Sequence, residues 1–268
     1  MTGIYDDPRA YELACAFRDI PAEVDALVRW SARHRPADTP VRTILELAAG
    51  PAEHAREFAL RDIAATALDL NPAMCAYAAE RGAGLPLQVV RGDMSDFQLG
   101  RRFDLIITML DSTAHLMTLD TFVAHLDRVA EHVAGDGIYV LEMSHPADRL
   151  AERARSSSAW RVARDGERAD VRWGEPDDVL DPITQIVEDH VTIAVTVNET
   201  TRVLRCVVPY RFWTATELDA AVRLCGSLEV AAQYGDFADL GVGDPAAWRL
   251  ITVLRPAAQG AAAQPGIG

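Results

Sequence analysis

Short apolar runs alternate with longer helical patterns through the middle of the chain. Five runs have strand character: Thr43–Ala48, Ala64–Leu70, Leu85–Val90, Phe103–Thr108 and Gly137–Met143. Strands that alternate with helices predict a parallel sheet, because parallel neighbours need crossover connections. We therefore expect an α/β fold with a doubly wound, mostly parallel sheet and helices on both faces.

The pattern changes after His145. Polar and apolar residues alternate between Trp160 and Tyr210, in segments joined by Asp-Gly and Asn-Glu turns, which is typical of an antiparallel sheet. A helical pattern over 214–225 and strand-like runs near 228–233 and 248–254 then follow. We expect the antiparallel β insertion to cap the carboxyl edge of the parallel sheet.

These patterns predict four units along the chain. Residues 1–40 form a helical lid, with helices over Tyr11–Arg18 and Pro21–Arg33. The α/β domain comprises 41–146 and 214–255, and the cap comprises 147–213. The low-complexity tail, 256–268, is expected to be disordered.

Composition excludes several classes of function. The chain has no lysine, so all 26 basic residues are arginine, which rules out a Schiff-base lysine, a pyridoxal phosphate linkage and a phosphate-loop lysine. A net charge of −14 disfavours nucleic acid and anionic membranes as partners. Four scattered cysteines predict neither a disulfide framework nor a metal site. With no secretion signal or apolar span, we expect a cytoplasmic monomer or homodimer that acts on a small molecule.

Residues with chemical potential follow the predicted strands. In doubly wound sheets the ligand crevice lies at the carboxyl ends of the strands. Gly50 follows the first strand, where a glycine lets the backbone approach a ligand beside free helix amides. Asp69 ends the second strand and can accept hydrogen bonds from both hydroxyls of a ribose. Asp93 follows the third strand, and the segment Leu110–His115 follows the fourth.

As a set, these four strand ends resemble the class I S-adenosylmethionine-dependent methyltransferases over roughly residues 43–143. The resemblance implies a Rossmann-like fold, S-adenosyl-L-methionine as cofactor and S-adenosyl-L-homocysteine as its product. The family's first loop, E-x-G-x-G-x-G, reads here Glu46-Leu-Ala-Ala-Gly-Pro-Ala, with alanine at two of the three glycine sites. The same departure argues against NAD, whose loop needs several glycines there.

The resemblance also implies cofactor-binding residues. The loop at Gly50 would hold the methionine part, Asp69 the ribose, and Asp93 with Met94 the adenine, while Leu110 and Asp111 would border the sulfonium. The full expected set is Tyr5, Tyr11, Arg18, Glu46, Ala48, Gly50, Asp69, Leu70, Met74, Asp93, Met94, Leu110 and Asp111.

The N-terminal stretch YDDPRAYELACAFRD resembles the lid helix of small-molecule N-methyltransferases, especially those that act on amino sugars and glycine-type amines. This implies that Tyr5 and Tyr11 face the sulfonium and that Arg18 binds the methionine carboxylate through its planar fork. The antiparallel insertion resembles the substrate wall of that subgroup. Its expected substrate contacts are Trp173, Tyr210 and Trp213.

Methyl transfer requires a nucleophile aligned with the methyl group and the exclusion of water. Our candidates for a catalytic role are Tyr11, His115 and His145, with Glu142 and Tyr210 also placed at strand ends or on the cap. The expected reaction is methylation of nitrogen on a small secondary-metabolite substrate. O- or C-methylation of an aromatic (for example indole-like) or peptide natural product remains an alternative, as does a non-catalytic ligand-binding protein of the same fold.

Overall fold

The computed structural model describes residues 3–150 and 157–258. Its helices are α1 Pro8–Ala14, α2 Ile20–His34, α3 Glu53–Leu60, α4 Pro72–Arg81, α5 Leu119–His132, α6 Ala147–Leu150 and α7 Ala215–Cys225. Its strands are β1 Thr43–Leu47, β2 Ala64–Asp69, β3 Leu87–Arg91, β4 Phe103–Thr108, β5 Val133–Ser144, β6 Ser158–Arg164, β7 Glu167–Trp173, β8 Ile186–Val197, β9 Thr200–Arg211, β10 Leu228–Tyr234 and β11 Arg249–Pro256. Most of the predicted tail, 259–268, lies outside the described residues, as do 151–156 of the predicted cap. No helix in the described ranges is long and apolar enough to cross a membrane.

Seven strands form the main sheet in the order β10-β11-β5-β4-β1-β2-β3. Strands β1 to β5 pair in parallel, and β11 runs antiparallel to both β5 and β10. One face packs against α5 and α7 through residues such as Phe122 and Leu218. The other packs against α2 and α3 through residues such as Trp30 and Phe58. The expected doubly wound, mostly parallel α/β fold is confirmed.

The strand ends and helix starts on the carboxyl edge are fixed by local chemistry. The strand β1 is buried from Ile44 to Leu47, as expected for a central parallel strand covered on both faces. After β2, the Asn71 side chain accepts hydrogen bonds from the amides of Ala73 and Met74, and Pro72 occupies the first helical position. Such caps place the first turns of the helices at the rim where the strands end.

A second sheet confirms the antiparallel insertion. Strands β6, β7, β8 and β9 pair in sequence order, each antiparallel to the next. The turns Asp165-Gly166 and Asn198-Glu199 have positive φ at all four residues, between 47° and 80°. That is the conformation of tight hairpin turns whose twist matches the flanking strands.

The first helix of the N-terminal segment packs against the cap. Ile4, Ala10 and Leu13 are buried in a common apolar cluster with the inner face of the four-strand sheet. The Trp160 indole nitrogen also donates to the carbonyl of Ala14 at 2.8 Å. Removal of 1–18 would therefore expose the cap's apolar face as well as open the crevice.

The helix expected over Tyr11–Arg18 is wrong in its bounds. The helix α1 starts at Pro8, because the Asp7 side chain caps it by accepting from the Ala10 amide. It ends at Ala14, so the chain reaches Arg18 in a turn. This turn carries the Arg18 side chain back toward the parallel sheet.

Candidate functional site

A cavity of about 1320 Å³ lies between the carboxyl edge of the parallel sheet and the cap. The ends of β1 to β5 form its floor, the four-strand sheet forms its roof, and the N-terminal segment closes one side. Of the expected site residues, it brings together Tyr5, Tyr11, Arg18, Glu46, Ala48, Gly50, Asp69, Leu70, Met74, Asp93, Met94, Leu110, Asp111, His115, Trp173 and Tyr210.

The loop after β1 keeps a glycine-type backbone in spite of its alanines. Ala48, Gly50 and Ala52 have φ of 50°, 52° and 58°. These are the three glycine positions of the family pattern. The left-handed region costs a residue with a Cβ roughly 1–2 kcal/mol. The two alanines therefore do not change the path of the loop, but they hold it under strain.

Asp69 sits at the end of β2 as the sequence predicts. One carboxylate oxygen accepts the Gly50 amide at 2.6 Å, and the other accepts the Asn71 amide at 2.8 Å. Burial raises the pKa of this carboxyl, while the two amide hydrogen bonds oppose the rise. Each oxygen retains acceptor capacity toward the cavity, because a carboxylate oxygen can take more than one hydrogen bond.

The rim after β3 is the open end of the cavity. Asp93 is exposed, and one of its oxygens accepts both the amide and the hydroxyl of Ser95, at 2.8 and 2.7 Å. Met94 beside it is buried and apolar, whereas Leu70 is 62% exposed. A polar edge next to an apolar face suits a heteroaromatic ring.

A chain of buried charges runs beneath the opposite end of the cavity. The Arg18 guanidinium donates to Glu23 at 2.5 Å and to Glu142 at 2.7 Å, and Arg249 lies 2.8 Å from the other Glu142 oxygen. Although burial opposes ionisation, the two arginines hold the pKa of Glu142 at about 2. Glu142 therefore serves as an ionised anchor for arginines from two separate elements.

His54 extends this network to β1. Its ring nitrogens lie 2.8 Å from Glu23 and 3.3 Å from Glu46. Although burial opposes the charge, the bonds to these two glutamates raise the pKa of His54 to about 9. The Glu46 carboxylate also accepts the Ala55 amide at 2.8 Å, so it caps α3. With a protonated His54, the three glutamates and three cations of the network balance.

The Arg18 guanidinium has a nitrogen without a hydrogen-bond partner among the described residues. Arg18 Nη1 is buried, and no group in residues 3–150 or 157–258 hydrogen-bonds it. The side chain is only 3% exposed and borders the cavity. A buried charged donor without a partner is costly, so this atom fits an acceptor supplied by a ligand.

The loop after β4 has a strained backbone that hydrogen bonds hold in place. Leu110 and Asp111 both adopt left-handed backbone, with φ of 54° and 59°. The Leu110 amide donates to the Glu142 carboxylate at 2.9 Å, and the Asp111 amide donates to the Glu142 carbonyl at 3.0 Å. The Ser144 hydroxyl donates to Asp111 at 2.5 Å. Burial raises the pKa of Asp111 to about 6.

Three polar aromatic side chains meet under the cap. The Tyr5 hydroxyl lies 2.7 Å from the Tyr210 hydroxyl and 3.2 Å from His115 Nε2. Desolvation lowers the pKa of His115, although part of this residue is exposed, and burial raises the pKa values of both tyrosines. At neutral pH the cluster is therefore uncharged. It offers hydroxyl and imidazole groups that can donate or accept a hydrogen bond.

The roof of the cavity combines aromatic rings with one carboxylate. Trp173 lies 6.0 Å from Tyr210 and stacks near Trp160 at 6.4 Å between ring centroids. Asp189 faces inward from β8, is 2% exposed, and lies 3.3 Å from Arg149. Indole faces can contact the apolar face of a ring or attract a cation.

The structure places two expected residues outside the cavity lining. Trp213 is buried beside Phe122, and its indole nitrogen donates to the Leu116 carbonyl at 3.1 Å, so it belongs to the core rather than to a substrate wall. His145 lies outside the cavity lining, and its ring nitrogens contact the Val242 carbonyl and the Ala147 amide. A catalytic role for His145 does not fit these contacts. Glu46 does line the cavity, where its carboxylate contacts His54 and the Ala55 amide of α3.

Sequence reasoning did not single out four residues of this site: Glu23, His54, Asp189 and Arg249. Asp189 carries a usable signal, because it is the charged member of the inward row that includes Val187, Val191 and Ile193. The sequence gives no such indication for Glu23, His54 and Arg249, because charged residues near helix starts and strand ends are common.

The site fits S-adenosylmethionine. The unpartnered Arg18 nitrogen suits a carboxylate, the Asp69 oxygens suit ribose hydroxyls, and the rim at Asp93 and Met94 suits adenine. The left-handed loop at Gly50 brings backbone close to the ligand space. The fold is the Rossmann-like fold of class I methyltransferases, and the residues of the site are compatible with their cofactor.

Comparisons with known proteins agree with this class. Residues 44–137 match the family described as Methyltransferase domain. DesVI of Streptomyces venezuelae has the same fold, with a TM-score of 0.76 and 23% identity over 92% of this chain and 98% of that one. CalS10, an amino pentose methyltransferase from Micromonospora echinaspora, has a TM-score of 0.70 and 22% identity, over 93% of this chain and 95% of that one. The chain therefore shares the fold of S-adenosylmethionine-dependent methyltransferases and is similar to their methyltransferase domain over residues 44–137.

Curated relatives are similar over part of their length. The dTDP-3-amino-3,6-dideoxy-alpha-D-glucopyranose N,N-dimethyltransferase of Streptomyces fradiae is 37% identical over 121 residues, 45% of this chain and 44% of that protein. The dTDP-4-amino-2,3,4,6-tetradeoxy-D-glucose N,N-dimethyltransferase of Saccharopolyspora spinosa is 28% identical over 151 residues, which are 56% of this chain and 57% of that protein. The matched region thus spans about half the length of these relatives.

Proposed function

We propose that this protein transfers a methyl group from S-adenosylmethionine to the amino nitrogen of an amino sugar in secondary metabolism. The observation that carries the proposal is the chemistry named for three curated relatives, each an N,N-dimethyltransferase of a dTDP-linked amino sugar. The roof of the cavity supports it, because aromatic rings and the Asp189 carboxylate suit a polar ring that bears an amine.

Each end of the cavity has a proposed task. Arg18 would hold the methionine carboxylate, Asp69 the ribose hydroxyls, and Asp93 with Met94 the adenine. When bound, the cofactor supplies an electrophilic methyl group on a positively charged sulfur. Tyr11 lies beside Gly50, where a Cβ would meet its ring at 3.9 Å, so this ring would shield the cofactor from water.

The uncharged cluster of Tyr5, His115 and Tyr210 would orient the substrate. Its hydroxyl and imidazole groups can hydrogen-bond an amine without repelling it, because no member of the cluster carries a positive charge at neutral pH. Alignment of a neutral amine with the methyl group accounts for much of the rate that such an enzyme can supply.

The test uses a matched pair of substrates. A dTDP-linked amino sugar and its hydroxyl counterpart are each incubated with protein and S-adenosylmethionine, and the formation of S-adenosylhomocysteine is followed. We expect turnover with the amine alone. Turnover with the hydroxyl sugar, or only with an aromatic or peptide acceptor, would replace the proposal by O- or C-methylation. Binding of the cofactor without turnover on any acceptor would support a non-catalytic protein.

A further inference from the structure

The loop after β4 has a backbone that only a tertiary constraint can hold. Leu110 and Asp111 are consecutive non-glycine residues in the left-handed region, and both line the cavity. Glu142 fixes their two amides, one through its carboxylate and one through its carbonyl. Strained backbone that persists against a cavity is a reason to look for a function in the side chains it directs.

Asp111 is a carboxylate with one neutral side-chain partner. The Ser144 hydroxyl donates to it at 2.5 Å. The charged groups that face it are Arg249 from β11 and Glu142 from β5, and Arg18 from the N-terminal segment is paired with Glu142. Burial raises the pKa of Asp111 to about 6, and the Ser144 bond and the Arg249 charge oppose a further rise. It is thus ionised at neutral pH and more basic than an ordinary aspartate.

Four other groups around the cavity are weaker choices as bases. Desolvation lowers the pKa of His115, which makes its imidazole less basic. Tyr5 and Tyr210 keep their protons, because burial raises their pKa values. Asp189 lies 3.3 Å from the Arg149 guanidinium, an ion pair that a proton would break.

We propose that the Asp111 carboxylate accepts the proton that the substrate ammonium loses before methyl transfer. This inference rests on the proposed function. The ammonium N–H bond breaks and its proton forms an O–H bond on Asp111, which leaves a neutral amine with a free electron pair. That pair forms the new N–CH₃ bond as the S–CH₃ bond breaks, and its electrons stay on sulfur. The product is a methylammonium and a neutral thioether, and Asp111 releases its proton to solvent.

The test compares Asp111→Asn with wild type in the full chain. We expect kcat for the amino sugar to fall by about 10²–10⁴-fold, the usual contribution of a positioned base. The break in wild-type kcat near pH 6 should be lost in this variant, whose kcat should instead follow the deprotonation of the substrate amine itself. Affinity for S-adenosylhomocysteine, measured by calorimetry, should stay within about twofold, since that ligand carries no substrate proton.

Two further variants separate a base from a structural residue. Ser144→Ala removes a hydrogen bond that lowers the pKa of Asp111, so the acidic limb of kcat should move to higher pH. Asp38→Asn makes the same change in an exposed residue with φ of 61°, outside the cavity lining, and should leave kcat unchanged.

The results distinguish this inference from the proposed function. If wild type methylates the amine and Asp111→Asn does so at the same rate and with the same pH profile, the inference is overturned and the function stands. If Asp111→Asn loses affinity for S-adenosylhomocysteine as much as it loses rate, Asp111 holds the cofactor instead. If wild type methylates no amine at any pH, the function itself fails.

Discussion

Replacement of Arg18 by methionine tests the buried network and the cofactor end of the cavity together. Methionine keeps the length and apolar stem of the side chain while it removes the guanidinium. In the wild type this group donates to Glu23 and Glu142 and leaves Nη1 without a partner. The substitution therefore removes two internal ion pairs and one donor that we assign to the methionine carboxylate.

The expected magnitudes follow from these contacts. A charged hydrogen bond contributes about 1.5–3 kcal/mol, so affinity for S-adenosylhomocysteine should fall by about 10- to 150-fold. Breaking a buried ion pair by removal of one partner costs about 3–5 kcal/mol. Here Glu142 keeps Arg249 and Glu23 keeps His54. The free energy of unfolding should therefore drop by the lower end of that range, about 3 kcal/mol.

The assay measures both quantities on the same protein. Calorimetry gives the dissociation constant for S-adenosylhomocysteine, and urea unfolding without ligand gives stability. Glu23→Gln serves as the control, because it weakens the network but retains the Arg18 guanidinium, so stability should fall with little change in affinity. If Arg18→Met loses stability yet binds S-adenosylhomocysteine as tightly as wild type, Arg18 does not hold the methionine carboxylate.

Four further predictions test other parts of the site. Ala48→Gly should raise the free energy of unfolding by about 0.5–1 kcal/mol in urea, since it relieves left-handed strain at some cost in chain entropy; a lower stability would contradict the strain. Asp69→Ala should weaken S-adenosylhomocysteine more than tenfold in calorimetry, and unchanged affinity would remove Asp69 from the ribose site. The pKa of His54 is raised to about 9 from 6.5, so its stabilising contribution is complete below about pH 6.5 and lost as pH rises through 9; His54→Gln should flatten thermal unfolding over that window. Tyr5→Phe should lower kcat about tenfold with cofactor affinity retained, and an unaltered kcat would exclude its hydroxyl from substrate orientation.

Most of the fold could be predicted from the sequence, because the apolar runs and turn residues that define its strands are local features of the chain. The strand β4 was predicted with the bounds it has, since an apolar run between polar residues defines Phe103–Thr108. The strand β5 begins four residues before the predicted Gly137, because α5 passes directly into it without a turn residue. Asp69 and Asp93 could be placed at the carboxyl edge for the same reason, because the end of each apolar run shows where the parallel strand ends.

The site's tertiary contacts were not readable from one sequence. The Arg18–Glu142 pair joins residues 124 positions apart, and nothing local to either residue specifies the other. Trp213 shows the same limit, because a large aromatic ring after the cap can face a cavity or fill the core. Trp213 can be buried in the core because its indole nitrogen finds a hydrogen-bond acceptor there, the Leu116 carbonyl. Such choices depend on packing across the whole domain.

A single-turnover experiment with a ¹³C-labelled methyl group tests the central claim most directly. Protein in excess is mixed with S-adenosyl-L-[methyl-¹³C]methionine and a dTDP-linked amino sugar, and the product is examined by two-dimensional carbon–proton NMR. We expect the labelled methyl group on the amino nitrogen, with a long-range correlation to the sugar carbon that bears this nitrogen. A label on oxygen or carbon, or no label in the sugar while S-adenosylmethionine remains bound, would contradict it.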